Sequence, residues 1–417
     1  MDAPPGVGEL DADEPDADEL RAAMTTWLRE QGSIRSASVA AAFRYTPRHL
    51  FLPGVGLYQA YADSVVPTKY DAQGQSISAA SQPTIVALML EQLDVRRGQS
   101  VLEIGAGTGY NAALLGRLVG RPGKVVTMDV DRDLVEAAAA HLLAAEASNV
   151  EVVLGDGALG LPSHAPYDRI TVTVGAGDVP PGWVEQLAPG GRLVVPLRLR
   201  GDVTFSLALD LAPDGRLYSS STEACTFMPL RGIADDAGHV VDLTLDSSVS
   251  VHLHHEHEGE HESDPEALGH ALDQPAGEIS TGVLLDYGDS FSPLDLYLTC
   301  ALPGGLCKLT TSPGAEAGLF GGGMAAVTGR SIACLTVFPG SGAEAGRAEN
   351  GWEVGVAGFG PEGTKLTETV AAAIQDWDRE VRGAAPRFVL AQGDARSGLS
   401  GRFVIDKRFN RIAVDWG

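Results

Sequence analysis

Residues 101–111 read VLEIGAGTGYN, and this stretch decides the fold of the first half of the chain. The run VLEI, which ends with Glu103 and Ile104, is followed by glycine at every second position, Gly105, Gly107 and Gly109. A helix-forming run comes directly after them. Glycine lets the backbone pass close to a ligand, and the N-terminus of the next helix carries a partial positive charge. The stretch predicts a strand, a ligand-binding turn and a helix.

The same alternation continues after this turn. VVTMDVD, RDLVEAAAAHLLAAE and VEVVLGDG predict strand, helix and strand, and YDRITVTVGA and GGRLVVPLRL add two strands with a helix over 180–188 between them. Repeated βα units imply a parallel sheet with helices on both faces. The predicted fold class is therefore α/β, a doubly wound, Rossmann-like domain.

Two acids follow the glycine turn at the positions that a nucleoside cofactor requires. Asp129 ends the second strand, where a carboxylate can accept both ribose hydroxyls, and Asp156 in GDG ends the third, where it can bind an adenine amino group. EIGAGTG combined with GDG is the arrangement of an S-adenosyl-L-methionine site, whose product is S-adenosyl-L-homocysteine. The predicted cofactor-binding residues are Glu103, Gly105, Gly107, Gly109, Asp129, Asp156 and Gly157.

The length of 417 residues favours two domains. No Lys or Arg occurs between Arg231 and Lys308, and this change in composition predicts a boundary near residue 232. We expect a disordered acidic N-terminus over 1–15, an S-adenosylmethionine-dependent methyltransferase domain over 16–232, and a C-terminal α+β domain for substrate recognition over 233–417. In that last region the sequence predicts a helix over 264–275.

The composition limits the partners. A formal net charge of −25 argues against a nucleic-acid partner, since binding to phosphates needs a basic surface. No apolar run is long enough to span a bilayer, and the acidic N-terminus is unlike a signal peptide, so we expect no membrane partner and a cytoplasmic location. The four cysteines match no metal or redox spacing.

A tract of histidines and acids, HLHHEHEGEHESD, raises the question of a metal site. It holds His252, His254, His255, His257 and His261. Such a tract can bind zinc or nickel, but alternating His and Glu without a fixed partner is more often a solvated loop. We expect no metal for the chemistry, and the role of the tract stays open.

Residues 73–83, QGQSISAASQP, form a polar loop that leads into a predicted helix over 82–93. Ser78 and Ser81 are the candidate catalytic residues, because a hydroxyl on such a loop can hold a carboxylate. Ser81 also stands where an N-cap is expected. We favour Ser81 and leave Ser78 as the alternative.

Several stretches outside the cofactor motifs complete a resemblance. RYTPRHLFLP (44–53), AYADSVVP (60–67), SQP (81–83) and TFMPLRG (226–232) occur together with the glycine turn and GDG. Over about residues 18 to 232 the chain resembles the protein-L-isoaspartate O-methyltransferase family. The resemblance implies methyl transfer from S-adenosylmethionine to an aspartyl or isoaspartyl carboxylate of a peptide or protein. A carboxylate is ionised at neutral pH, so no general base is needed.

The chain departs from that family at two places. Two alanines separate IS (77–78) from SQP, and a long region follows residue 232. Both features resemble a divergent branch associated with ribosomally made, modified peptides (lanthipeptides, lasso peptides and graspetides), which implies methylation of an ordinary aspartate followed by aspartimide formation. We prefer that function and keep isoaspartyl repair as the alternative. A peptide-binding scaffold with a degenerate methyltransferase domain and a small-molecule methyltransferase are less favoured.

Overall fold

The computed structural model describes residues 16–72, 74–233, 238–254, 268–312, 323–339 and 351–417. The predicted disordered segment 1–15 lies outside these ranges. Within them, no helix combines the length and the apolar character needed to cross a bilayer.

The described chain contains both helices and strands. The helices are α1 (Ala17–Glu30), α2 (Ala37–Tyr45), α3 (Leu57–Tyr61), α4 (Pro83–Leu93), α5 (Tyr110–Val119), α6 (Arg132–Ala144), α7 (Pro181–Glu185), α8 (Ser292–Ala301) and α9 (Gly363–Glu380). The strands up to residue 224 are β1 (Val66–Tyr70), β2 (Ser76–Ala80), β3 (Ser100–Ile104), β4 (Lys124–Asp129), β5 (Val150–Leu154), β6 (Tyr167–Val172), β7 (Leu187–Arg198), β8 (Thr204–Leu211) and β9 (Leu217–Ala224). The later strands are β10 (His239–Asp242), β11 (Val249–Leu253), β12 (Pro275–Asp286), β13 (Cys307–Thr311), β14 (Met324–Thr328), β15 (Ser331–Pro339), β16 (Gly351–Phe359), β17 (Pro386–Gln392), β18 (Phe403–Asp406) and β19 (Asn410–Trp416). Short 3-10 helices cover Arg48–Phe51, Gly157–Leu159, Pro162–His164, Ala271–Asp273 and Gly393–Arg396.

The chain divides into two compact units. The first contains Met1–Gln99 and Ala106–Leu154, and the second contains Ser100–Gly105 and Gly155–Gly417. In the first unit β1 and β2 form an antiparallel hairpin, and β4 pairs with β5 in parallel. The helices of this unit bury large apolar side chains. The side chains that are fully or almost fully buried include Leu28, Phe43, Phe51, Leu90, Leu93, Leu114 and Leu115.

In the second unit a sheet runs in the order β3, β6, β7, β8, β9, β17, β19 and β18. The pairs β3–β6 and β6–β7 are parallel, and the pairs from β7 onward in this order are antiparallel. β3 and β6 are mostly buried, as expected for parallel strands covered on both faces. The three strands after residue 385 therefore extend a sheet that begins in the segment before residue 232, and the boundary near 232 stays a prediction.

A separate sheet of the second unit has the described strand order β10, β11, β13, β14, β15, β16 and β12. α9 packs on β12, β15 and β16 with one apolar face, as its helical spacing requires. The buried side chains of that face are Thr367, Val370, Ala371, Ile374 and Trp377. The described C-terminal region is therefore rich in β-structure, with helices packed on it.

Two predicted helices differ from the structure. The helix expected over 180–188 ends at Glu185, because the Gln186 carbonyl accepts a hydrogen bond of 2.8 Å from the Tyr167 N–H and the chain enters β7. Tertiary pairing here overrides helix propensity. Part of the helix expected over 264–275 lies outside the described residues, and the described part contains the 3-10 turn Ala271–Asp273 and the start of β12.

Candidate active site

The glycine turn of the first unit lies against a carboxylate. The Gly107 N–H donates to Asp129 Oδ2 over 3.0 Å, and Asp129 is the buried last residue of β4. Gly107 has a φ of 50°, and a Cβ added there would meet nothing within 4 Å. Gly109, with a φ of 86°, is the N-cap residue of α5 and passes close to the Ala138 backbone. The structure thus brings Gly107 and Asp129 together beside open space, which fits the cradle of a nucleoside cofactor.

Glu103 and Gly105 belong to the second unit. Glu103 is fully buried on β3, opposite Thr171 of β6. The Gly105 carbonyl accepts a hydrogen bond of 2.6 Å from the Thr173 hydroxyl, which also donates to the Ile104 carbonyl at 3.1 Å. Thr173 therefore fixes the end of β3. The sequence signal for it was a hydroxyl residue directly after the strand, at the end of YDRITVT.

Asp156 caps the 3-10 helix Gly157–Leu159. Its Oδ1 accepts from the Ala158 N–H at 2.9 Å, and its Oδ2 accepts from the Ile233 N–H at 2.8 Å. Each carboxylate oxygen has two lone pairs, so this carboxylate retains the capacity to accept from a ligand. At Gly157 a Cβ would overlap Cγ2 of Ile104, so only glycine allows this close approach.

Ser78 and Ser81 have different surroundings. Ser78 is buried on β2, opposite Lys69, and its Oγ accepts from the Thr68 hydroxyl at 3.1 Å. Ser81 is the first residue after β2 and is half-buried. It is not the N-cap of the following helix, and that prediction was wrong. α4 begins at Pro83 with Gln82 as the N-cap, because proline is suited to the first helical position and sets the start one residue later.

Asp63 replaces the missing cap. Its Oδ1 accepts from the Thr84 N–H at 2.8 Å, and its Oδ2 accepts from Gln82 Nε2 at 2.7 Å and from the Thr84 hydroxyl at 2.9 Å. The Ser81 carbonyl in turn accepts from Nη2 of the buried Arg48 at 2.9 Å. Asp63 and Arg48 lie in AYADSVVP and PRHLF, two of the stretches that resemble the family. No local sequence pattern indicated that they hold the segment around Ser81.

The hairpin that carries Ser78 is held in another way. Lys69 on β1 places its Nζ 2.9 Å from Asp131 Oδ2 and 2.8 Å from Asp133 Oδ1. These two hydrogen bonds, first that with Asp133, raise the pKa of Lys69. Asp131 is the N-cap residue of α6, two residues after Asp129. A surface ion-pair cluster therefore joins the hairpin to the segment after β4.

Within the described part of the histidine tract, His254 contacts a carboxylate. His254 Nε2 lies 2.8 Å from Asp202 Oδ1, and Asp202 Oδ2 accepts from the Lys308 N–H at 2.8 Å. Burial alone would raise the pKa of Asp202, but these contacts outweigh it and lower the pKa. His255, His257 and His261 lie outside the described residues. Across the described ranges, no group of three or more Cys, His, Asp or Glu side chains is placed to hold a metal.

Comparisons with known proteins match the first half of the chain to one family. Residues 19–234 match the family model described as protein-L-isoaspartate(D-aspartate) O-methyltransferase. Protein-L-isoaspartate O-methyltransferase 2 of Archaeoglobus fulgidus is 41% identical over 218 residues, which cover 52% of this chain and 95% of that protein. A solved protein-L-isoaspartate O-methyltransferase is 25% identical with a TM-score of 0.48, over 86% of this chain and 92% of that one. A Plasmodium falciparum protein assigned to the same activity, in complex with S-adenosyl-L-homocysteine, is 16% identical with a TM-score of 0.44, over 51% of this chain and 98% of that one.

The family match confirms the class I methyltransferase fold, followed here by an additional β-rich C-terminal region. It also confirms an enzyme that uses S-adenosyl-L-methionine and acts on protein substrates. The comparisons do not show the divergent peptide-modifying branch. With a family model covering more than half of its residues, this chain belongs to the protein-L-isoaspartate(D-aspartate) O-methyltransferase family.

Proposed function

We propose that the chain methylates the free carboxylate of an L-isoaspartyl residue in a polypeptide. The observation that carries this proposal is the match to a protein-L-isoaspartate O-methyltransferase over 95% of that protein's length at 41% identity. It favours the alternative function over the aspartimide-forming one that we preferred from the sequence. The extra C-terminal region and the two alanines before Ser81, on which that preference rested, do not identify a substrate.

The proposed cofactor residues are those expected from the sequence, in two groups. Gly107, Gly109 and Asp129 belong to the first unit, and Glu103, Gly105, Asp156 and Gly157 belong to the second. The Asp129 carboxylate, held by the Gly107 N–H, would accept the ribose hydroxyls, and Asp156 would accept from the adenine amino group. When bound, S-adenosyl-L-methionine supplies an electrophilic methyl group.

Ser81 is the residue that we propose for the substrate carboxylate. Ser78 is buried, and its hydroxyl already accepts from Thr68, whereas Ser81 is half-buried beside the N-terminus of α4. A Ser81 hydroxyl that donates to one carboxylate oxygen leaves the other oxygen free to attack the methyl carbon. Since the carboxylate is ionised at neutral pH, the chain needs only to orient it, and orientation is what the anchored loop provides.

The product ester accounts for the repair chemistry. Methoxide leaves an ester carbonyl much more readily than oxide leaves a carboxylate. The next backbone nitrogen therefore attacks the ester carbonyl, methoxide departs and takes up the amide proton as methanol, and a five-membered imide remains. An isoaspartyl ester and an aspartyl ester give the same kind of imide. The structure of the final product therefore does not separate the two functions, and the acceptor carboxylate has to be tested directly.

The test uses synthetic peptides that are identical except at one position. That position holds L-isoaspartate, L-aspartate or D-aspartate, and a fourth peptide holds isoaspartate with its free carboxylate amidated as the control. Each is incubated with the full chain and S-adenosyl-L-methionine, and the mass gain of one methyl group and the methanol released are measured. We expect methylation of the isoaspartyl peptide and none of the amidated control.

Two results would overturn the proposal. Methylation of the L-aspartyl peptide alone would support the aspartimide-forming function instead. Measurable binding of S-adenosyl-L-homocysteine without methylation of any peptide would favour the scaffold with a degenerate methyltransferase domain.

A further inference from the structure

Arg48 is a buried cation in the first unit whose three contacts belong to three different segments. It starts the 3-10 helix Arg48–Phe51 and is 1% exposed. Its Nε donates to the Ala60 carbonyl at 2.9 Å, and its Nη2 donates to the Ser81 carbonyl at 2.9 Å. Its guanidinium carbon lies 4.9 Å from the centre of the Tyr110 ring.

The charge of Arg48 is not explained by an ion pair. Burial lowers the pKa of its guanidinium, which the nearby Asp63 and Tyr110 partly offset, and no salt bridge of Arg48 is formed within the described ranges. Removing an ion from water costs several kcal/mol, and an apolar side chain of similar volume often packs at least as stably. A planar guanidinium is well suited to donate to two backbone carbonyls and to stack on the face of an aromatic ring at the same time. The arrangement therefore favours a geometric role over a stabilising one.

The contacts connect the substrate loop to the cofactor turn. Tyr110 is the first residue of α5 and directly follows Gly109, the last glycine of the turn. The ring is itself fixed, because it is 3% exposed and packs edge-on against Phe43 and Phe51 with ring centres 6.3 Å and 5.6 Å away. The Ser81 carbonyl is thus positioned, through one rigid fork, relative to the residue that begins the cofactor helix.

We propose that Arg48 is a positioning residue for methyl transfer: it sets the position of the Ser81 backbone relative to the glycine turn. The proposal rests on the proposed role of Ser81. Arg48 acts on the alignment of the two substrates and not on their binding, so replacing Arg48 lowers kcat more than it raises KM. A misplacement of about 1 Å in such an alignment lowers a rate by about 100-fold.

The test compares Arg48→Lys and Arg48→Met with Arg117→Met in the full chain. Lysine keeps the charge but lacks the planar fork, so it cannot hold both carbonyls and stack on Tyr110. Arg117 lies on the same helix as Tyr110, and its Nε donates to the Thr46 hydroxyl at 3.0 Å instead of to Ser81. Arg117→Met therefore controls for the loss of a guanidinium from this unit.

We expect Arg48→Lys to lower kcat about 10- to 100-fold, with the KM of the isoaspartyl peptide and the Kd of S-adenosyl-L-homocysteine changed less than about threefold. Arg117→Met should leave all three within about threefold. In a Ser81→Ala background, Arg48→Lys should have little further effect, since both changes remove the same interaction. An Arg48→Lys enzyme with wild-type kcat, a loss confined to KM, or full additivity with Ser81→Ala would overturn the proposal.

A second measurement needs no activity and separates this proposal from the proposed function. Amide hydrogen exchange is followed over residues 76–86 in the wild type and in Arg48→Lys. Faster exchange there, with residues 132–144 unchanged, is expected if Arg48 holds the loop, whatever substrate the enzyme uses. Unchanged exchange over 76–86 would overturn the positioning role, even for an enzyme that methylates the isoaspartyl peptide, and a wild type that methylates none of the peptides would refute only the proposed function.

Discussion

The segment from Ser78 to Ser81 is held by different kinds of interaction at its two ends. At the Ser81 end, the buried Arg48 binds the backbone carbonyl, and Asp63 accepts three hydrogen bonds from Gln82 and Thr84. At the Ser78 end, Lys69 forms ion pairs with Asp131 and Asp133 at the surface. Hydrogen bonds of fixed geometry define one position, whereas ion pairs that water reaches are weak and screened by salt. The end with a fixed position is therefore the one suited to orient a reacting carboxylate.

Replacing the two serines one at a time should give the largest change in kcat. We expect Ser81→Ala to lower kcat about 10- to 100-fold, because a hydrogen bond to a charged group contributes about 1.5–3 kcal/mol. Ser78→Ala loses only the bond from Thr68, and its kcat should fall less than about threefold. Steady-state methylation of the isoaspartyl peptide measures both. A larger loss in Ser78→Ala would assign the carboxylate contact to Ser78.

Asp63→Asn tests the anchored end without touching either serine. The amide nitrogen replaces one acceptor oxygen, so it faces the Gln82 amide and the Thr84 hydroxyl as a donor. We expect kcat to fall about 3- to 10-fold through the displaced loop. The free energy of unfolding, measured by denaturant titration, should fall by about 1–3 kcal/mol. Glu91→Gln is a control, since Glu91 accepts from the backbone N–H groups of Arg35 and Ser36 just before α2. An equal loss of kcat in that variant would point to general destabilisation.

Lys69→Met tests the surface end and should have a smaller effect. Ion pairs that water reaches contribute little, so activity at low salt should fall less than about fivefold. Near 1 M NaCl the Debye length is about 3 Å, and the variant should approach the wild type. Lys124→Met, which removes an exposed charge at the start of β4, serves as the matched control. A loss for Lys69→Met that persists in high salt would mean that packing, not charge, holds the hairpin.

The pH range of the Lys69 cluster provides the smallest expected effect. Lys69 lowers the pKa of Asp133 from its ordinary value of 3.8, so the contribution of this carboxylate is present above that value and is lost as the pH falls through its lower pKa in the folded chain. Asp133 and Asp131 raise the pKa of Lys69 from 10.5, so the contribution of the ammonium is complete below that value and is lost as the pH rises through the raised pKa. The difference between wild type and Lys69→Met should therefore be constant from about pH 5 to 9 in thermal unfolding curves. A step within that range would assign the difference to another group.

The parts of the molecule that the sequence predicted correctly are those whose signal is local. The glycine turn lies between a strand and a helix, Asp129 ends β4 and Asp156 follows β5, because each of these patterns consists of consecutive residues. Arg48 and Asp63 were missed as anchors, since their partners lie 33 and about 20 residues away and only folding brings them together. The capping role given to Ser81 failed for a related reason: a side chain from another segment does the capping.

The pairing of β9 with β17 has a consequence for handling this protein. The Tyr218 and Leu217 backbones pair with Val389 and Leu390, and the Phe388 N–H donates to the Ser219 hydroxyl at 2.8 Å. A polypeptide shortened to end near residue 232 would keep β9 and lose the strand that covers its outer edge. Unpaired edges recruit further strands from neighbouring molecules. Such a fragment should self-associate, and an inactive fragment would then reveal nothing about whether the C-terminal region selects the substrate.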